Sequence, residues 1–238
     1  MKFETTYTSD NQSLLEQFTE AQRYHPYIMD AAEKYNLQPS LIAGLGSRES
    51  HWGLDLKPKG PKGTGDFRER RCPTEYRSGP LPAVGGFGRG LLQIDFDAHE
   101  FARGDMWKDP LENILYGCKV LAQCMGIIKR KVAVGQIVID ATGKTAGQTS
   151  TQLASIPAEK IATGQTSTPL TLITAGQIAT DLSDQEILRA ALAGYNAGPG
   201  RVLKAIKEGK DIDHYTTGRD YSADVLNRAG WFQTYGWA

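Results

Sequence analysis

Cysteine is scarce in this chain. Cys72, Cys118 and Cys124 are the only three in 238 residues, too few for a disulfide framework. Cys118 and Cys124 fall six apart on what reads as one helix, too far around and along it for an easy bridge. No Cys-x-x-Cys spacing occurs, and the four scattered histidines suit structural or surface places, so neither a metal nor another cofactor is expected. Excess charge is lacking too: 27 basic and 27 acidic residues cancel, so the chain as a whole has no cationic footprint for nucleic acid. No apolar run is long enough to span a membrane. The stretch Met1-Lys2-Phe3-Glu4-Thr5-Thr6-Tyr7 has no apolar core of the kind a secretory signal carries, which suggests a mature or trimmed form or another route of export.

What is present is helical punctuation. Leu14, Leu15 and Phe18 fit one short apolar stripe, and Tyr27, Ile28, Ala31, Ala32 and Tyr35 fit the next, ending near Asn36. Pro39 opens a helix to Ser50 on which Ile42, Leu45 and Glu49 share a face. Asp109-Pro110-Leu111-Glu112 is a strong helix start, followed by an expected core stripe of Leu111, Ile114, Leu115, Cys118, Ala122 and Met125 and closed by Lys129-Arg130-Lys131. Ser183-Asp184-Gln185-Glu186 is a second capping box, and Arg201 to Lys207 and Tyr221 to Phe232 read as further helices. The length allows one large or two small domains, and the scaffold is mainly α.

Two segments depart from that pattern. Residues 57–89 form a long irregular stretch rich in Gly and Pro, with eight Lys/Arg against three Asp/Glu. Loops of this length inside compact domains are usually functional or mobile. Residues 132–181 contain no aromatic residue, and Thr145-Ala146-Gly147-Gln148-Thr149-Ser150-Thr151 recurs as Ala162-Thr163-Gly164-Gln165-Thr166-Ser167-Thr168. Gln136 to Lys144 resembles a strand running into a turn, so this part reads as an insertion, β-hairpin or flexible.

Three blocks carry chemistry. In Arg48-Glu49-Ser50-His51, Glu49 takes a place where the pattern calls for an apolar residue, at a helix C-terminus. Lost solvation and the negative end of the helix dipole both raise its pKa, as a general acid near neutral pH requires. The alternative is a structural ion pair with Arg48. In Gly86-Phe87-Gly88-Arg89-Gly90-Leu91-Leu92-Gln93-Ile94-Asp95, the glycines allow close approach to a ligand, Gln93 both donates and accepts, and Asp95 supplies a second carboxylate. Ala193-Gly194-Tyr195-Asn196-Ala197-Gly198-Pro199-Gly200 presents Tyr195 and Asn196 at a broken helix end.

In this order the blocks resemble the goose-type lysozymes and the related soluble lytic transglycosylases. The tail from Asp211 to Val225 also looks like the goose-type C-terminus. The resemblance covers roughly 20–56, 86–131 and 182–238 and leaves 132–181 unmatched. It implies a single lysozyme-like catalytic domain over 1–238, with 132–181 inserted in it. It also implies cleavage of the β-1,4 bond between N-acetylmuramic acid and N-acetylglucosamine in peptidoglycan, with Glu49 as general acid. Asp95 matches one of two aspartates assigned to the water, and Gly63-Thr64-Gly65-Asp66 is the best match for the loop carrying the other, which makes Asp66 the candidate. Tyr221 matches an active-site tyrosine, Tyr195 and Asn196 match the cleft motif, and His99 matches a histidine with a binding role at most. An acid at Asp95 favours inverting hydrolysis, which needs a second carboxylate to orient water.

The implied partner is the glycan strand of peptidoglycan, with chitin oligomers as secondary substrates. A monomer acting outside the cell or in the periplasm is expected. Two other readings stay open: a lytic transglycosylase giving 1,6-anhydromuramic ends, and a wall-binding module without turnover. The basic 57–89 loop lacks the interleaved aromatics of a strand-binding groove, so nucleic acid is not an expected partner.

Overall fold

A computed structural model of the chain describes residues 1–68, 85–133 and 184–237. Among them are seven α-helices and a three-stranded antiparallel sheet; the helices are α1 (Gln12–Gln22), α2 (His25–Tyr35), α3 (Pro39–Ser50), α4 (Pro110–Ala133), α5 (Asp184–Ala197), α6 (Pro199–Lys207) and α7 (Tyr221–Thr234). The strands are β1 (Thr64–Gly65), β2 (Gly88–Arg89) and β3 (Ile94–Asp95), in the order β1-β2-β3. The mainly α class read from the sequence is the class observed.

Local chemistry sets the helix ends. Asn11 accepts from the Leu14 amide at 3.1 Å to start α1, and Asp109 accepts from the Glu112 amide at 3.1 Å to start α4. Proline sits in the first turn of α2, α3 and α6, where its missing N–H is no loss. Asn36 closes α2 in the left-handed region at φ 50°, a conformation that Asn tolerates better than most residues.

Helix α3 is the centre of the molecule. Its sequence pattern predicts one apolar face; in the structure Leu41, Ile42, Ala43, Gly44, Leu45, Gly46 and Ser47 are all buried, so contact runs all round it. Its main partner is α7, and the crossing is very close. A β-carbon added at Gly44 would stand 2.7 Å from both the Ala229 nitrogen and the Val225 oxygen. Gly46 makes room for the Trp52 ring, whose Nε1 donates to the Ala43 carbonyl at 3.0 Å. Helix α4 packs on α2 and α5, and α5 in turn on α6 and α7.

On α4 the expected stripe is rotated. Ile114, Cys118, Leu121, Cys124 and Ile128 are buried, whereas Leu111, Leu115, Ala122 and Met125 are half-buried. The helix lies in a groove between α2 and α5, so its buried arc is broader than a one-sided amphipathic pattern anticipates. Both cysteines on it are free.

The sheet was absent from the sequence reading, which treated 57–89 as irregular. Two-residue strands are too short to show an alternation. The strand-like run at 136–144, the repeats of the 132–181 insertion beyond its first two residues, Ser183 of the second capping box and Cys72 lie outside the described residues.

The first residues of the chain are tied to its last helix. The Phe3 amide donates to Gln233 Oε1 at 2.8 Å, the Thr6 amide to Asn227 Oδ1 at 2.7 Å, and Trp231 Nε1 to the Thr8 carbonyl at 2.9 Å. Phe18, Trp231, Phe232 and Trp237 form an aromatic cluster beneath this seam.

Candidate active site

The end of α3, the sheet, the end of α5 and the start of α7 converge on a cleft of about 360 Å³. Glu49, Asp66, Gln93, Asp95, His99, Tyr195, Asn196 and Tyr221 all line it. The structure therefore brings together every residue that the sequence singled out. Arg68, from the basic 57–89 segment expected to flank the cleft, also lines it, as do Arg48, Val120 and Thr217, which sequence reasoning did not place there.

Glu49 stands in the last turn of α3, and the chain then turns sharply through two non-glycine residues in the left-handed region, His51 (φ 49°) and Trp52 (φ 54°). Ser50 fixes that turn: its hydroxyl donates to the Leu91 carbonyl at 2.7 Å and accepts from the Gly53 amide at 3.0 Å. Glu49 Oε1 accepts a short hydrogen bond from the Tyr221 hydroxyl. The expected alternative, an ion pair with Arg48, is not the arrangement seen. Arg48 instead reaches Asp220 Oδ1 and Asp224 Oδ2, each at 3.2 Å, and the Thr217 carbonyl at 3.3 Å. Its guanidinium carbon also lies 5.7 Å from the centre of the Tyr221 ring.

Burial pushes the Glu49 carboxyl up to about 7, against the opposing pull of the Tyr221 hydrogen bond and the Arg48 charge. Desolvation, together with the nearby Glu49 charge, holds the Tyr195 and Tyr221 hydroxyls well above the ordinary tyrosine value, so both remain donors at neutral pH. Burial pushes the His99 imidazole down and so favours its neutral form, against the opposing pull of the Asp95 charge. Tyr116 fixes that ring, with its hydroxyl 3.3 Å from His99 Nδ1.

The sheet positions the two aspartates. Gly65 pairs with Gly88 and Gly88 with Asp95, so β1 and β3 flank β2 with their backbones about 10 Å apart at that level. Asp66 follows Gly65 directly, in the left-handed region at φ 51°, and its Oδ1 lies 3.4 Å from Arg68 Nε. Asp95 Oδ1 accepts from the Asp97 and Ala98 amides, both at 2.9 Å, which orients the carboxylate. Gln93 (φ 46°) lies across the strands, donating from Nε2 to the Gly90 carbonyl at 2.8 Å. The glycines make this arrangement possible: a β-carbon at Gly65 or Gly88 would fall 2.3 or 2.1 Å from Gln93 Oε1.

Further polar contacts brace the site, and two of the residues that make them, Asn113 and Asp213, were not singled out in the sequence. Buried Asn113 on α4 accepts from the Leu92 amide at 2.9 Å and donates to the Arg89 carbonyl at 3.0 Å, pinning the turn before Gln93. Tyr195 donates to the Leu92 carbonyl at 2.7 Å from the other side. Asn196 Oδ1 accepts from the Thr217 amide at 2.9 Å. Asp213, 1% exposed, accepts from the Ser222 amide at 2.9 Å and the Ser222 hydroxyl at 2.5 Å, which anchors the first turn of α7 and hence Tyr221. Asn113 follows Glu112 in the first turn of α4, and Asp213 lies in the polar run Lys210-Asp211-Ile212-Asp213-His214, so neither stood out from its neighbours. Among the described residues no group of His, Cys, Asp and Glu is arranged to hold a metal ion.

Comparison with known proteins points the same way. The model of the lysozyme g family matches residues 122–236. Lysozyme g of Epinephelus coioides is 25% identical over 217 residues, 90% of this chain and 76% of that protein. Lysozyme g of Takifugu rubripes is 24% identical over 217 residues, 90% of this chain and 75% of its own length. That of Struthio camelus is 23% identical over 215 residues, 90% and 68% of the two chains. With the family match over its C-terminal part and similarity along nine-tenths of its length, the chain is similar to the goose-type lysozymes.

Proposed function

We propose that the protein is a muramidase that hydrolyses the β-1,4 bond between N-acetylmuramic acid and N-acetylglucosamine in peptidoglycan, with inversion at the anomeric carbon. The observation that supports this most is a carboxyl group at Glu49 whose burial raises its pKa to about 7, facing two sheet-borne carboxylates across one cleft. In this reading Glu49 gives its proton to the glycosidic oxygen as the bond breaks. Asp95, with Asp66 beside it, orients a water that attacks the opposite face of the sugar. Tyr221 holds the Glu49 carboxyl in place, while Gln93, Tyr195, Asn196 and His99 offer polar contacts to the N-acetyl and hydroxyl groups of the glycan.

The relatives named lysozyme g support peptidoglycan as the polymer, and so a site of action at the wall, outside the cytoplasm. Chitin oligomers share the N-acetylglucosamine unit and are secondary substrates in this reading, acted on by a monomer. Mass spectrometry of the muropeptides released from purified peptidoglycan is the test. Products ending in reducing muramic acid are expected. Ends lighter by one water, as in 1,6-anhydromuramic acid, would make it a lytic transglycosylase. Binding without release of products would make it a wall-binding module.

A further inference from the structure

A second cavity, of about 370 Å³, lies behind the sheet. The sheet separates the two: Gly88, Ile94 and Asp95 line the cleft, whereas Thr64 and Arg89, with Phe96 just after β3, line the cavity. Among the described residues that line it, five are cations, Lys57, Lys62, Arg89, Arg103 and Lys108, and one, Asp105, is an acid. In a chain whose charges cancel overall, this is a marked local excess. It gathers three basic residues of the 57–89 segment with two from the turns before α4, which are distant in sequence.

The cations are arranged in depth. Arg89 is 7% exposed and lies against both the Phe96 and Trp107 rings, 5.2 Å from each centre. Aromatic faces offset part of the cost of taking a guanidinium out of water. Arg103 is held rigidly by donating to the Phe96 and Asp97 carbonyls at 3.0 and 2.6 Å. Lys57, Lys62 and Lys108 are exposed, Lys108 with Asp105 Oδ1 at 2.5 Å. Buried or braced guanidinium groups with exposed ammonium groups beside them make up a donor set with acceptor-rich anions as its natural complement.

We propose that this second cavity binds an oxyanion, a phosphate or carboxylate group, carried by the anionic polymers of the wall. The carrier rests on the peptidoglycan reading above; the oxyanion site itself does not. Seated behind the sheet, a bound wall anion would tether the enzyme to its substrate polymer while the cleft on the other face stays open to a glycan strand.

The test is a titration of the protein with inorganic phosphate, followed by amide NMR. Saturable shifts confined to Gly85, Gly104, Asp105 and their neighbours are expected. The K57Q/K62Q/K108Q variant should keep the parent's spectrum elsewhere and weaken phosphate binding by about tenfold or more, as losing charged partners to an anion requires. No saturable shift, or a triple variant that binds as tightly as the parent, overturns the site. Competition then identifies the carrier: displacement of phosphate by a glycerol-phosphate polymer or by a dicarboxylate peptide supports a wall anion of that kind, and displacement by neither overturns the wall assignment. Cleavage of soluble glycan by the same samples keeps the two readings apart. Absent binding with full cleavage removes only the oxyanion site, and binding without cleavage removes only the muramidase.

Discussion

The Tyr221 hydroxyl donates to Glu49 Oε1, joining the first residue of α7 to the last turn of α3 across 172 residues of sequence. That bond opposes the effect of burial on the Glu49 carboxyl, because a donor favours the ionised form. Tyr221→Phe should therefore raise the Glu49 pKa above its present value. A hydrogen bond to a charged group is worth roughly 1.5–3 kcal/mol, so the alkaline limb of the pH–rate profile should move up by about one to two units. An alkaline limb that stays in place would show that the hydroxyl does not tune the acid.

Glu49→Gln should retain the fold and reduce turnover to a few per cent or less, since an amide cannot protonate the leaving oxygen. Stability gives a second, independent readout. The folded chain keeps the Glu49 proton up to about pH 7, whereas the unfolded chain releases it near 4.5. The folded state thus loses stability as pH rises between those values, by up to about 3 kcal/mol. Urea denaturation should find Glu49→Gln more stable than the parent at about pH 8.5 and nearly equal to it at about pH 4. A variant that gains nothing at the higher pH would mean that the carboxylate is well solvated in the cleft.

Asp95→Asn should slow hydrolysis by roughly 10–10³-fold, the usual range for a positioned base. Asp66→Asn should do less if Asp95 carries most of the water's orientation, and the double variant should lose more than either. Unchanged rates in all three would direct attention to attack by the substrate's own N-acetyl group.

Gly88→Ala separates the site from the fold. The new β-carbon would meet Gln93 Oε1 at 2.1 Å, and the far end of a side chain can move aside. The stability loss should stay near about 1 kcal/mol, at the low end for overpacking. Activity should fall much more, because Gln93 is displaced from the cleft floor. Full activity in a folded Gly88→Ala protein would remove Gln93 from substrate binding.

Replacing 134–180 with a short Gly/Ser linker should leave folding and cleavage of soluble glycan nearly intact. The segment has no aromatic payload with which to brace a core, and loop closure entropy changes by only about 0.6 kcal/mol per doubling of length. Insoluble expression, or a folded protein unable to cut soluble glycan, would place the segment in the core or cleft.

Much of this was legible in the chain because the signals were local. Pro39 and the misplaced acid at Glu49 bounded α3 at the residues where it starts and ends, and Asp109-Pro110 did the same for the start of α4. The eight candidate residues were found as short blocks, and the folding of those blocks brings all of them to one cleft. What escaped depends on partners far away in sequence. Gly44 is small because α7 crosses there, and Asp213 is buried because Ser222 and Thr216 surround it. The α4 stripe was misplaced for a related reason: two flanking helices, which a single period cannot represent, decide which arc is covered. The sheet escaped because each strand has only two residues.

The close crossing of α3 and α7 also orders events during synthesis. The segment bearing Glu49 leaves the ribosome long before Tyr221 and the helix that buries it. Until α7 docks at Gly44, that glutamate is an ordinary solvated carboxylate, ionised at neutral pH and unable to act as an acid. On the proposed muramidase reading, the nascent chain is thus silent toward glycan, and the ability to cut would arrive with the fourteen residues of α7 rather than with Glu49 itself.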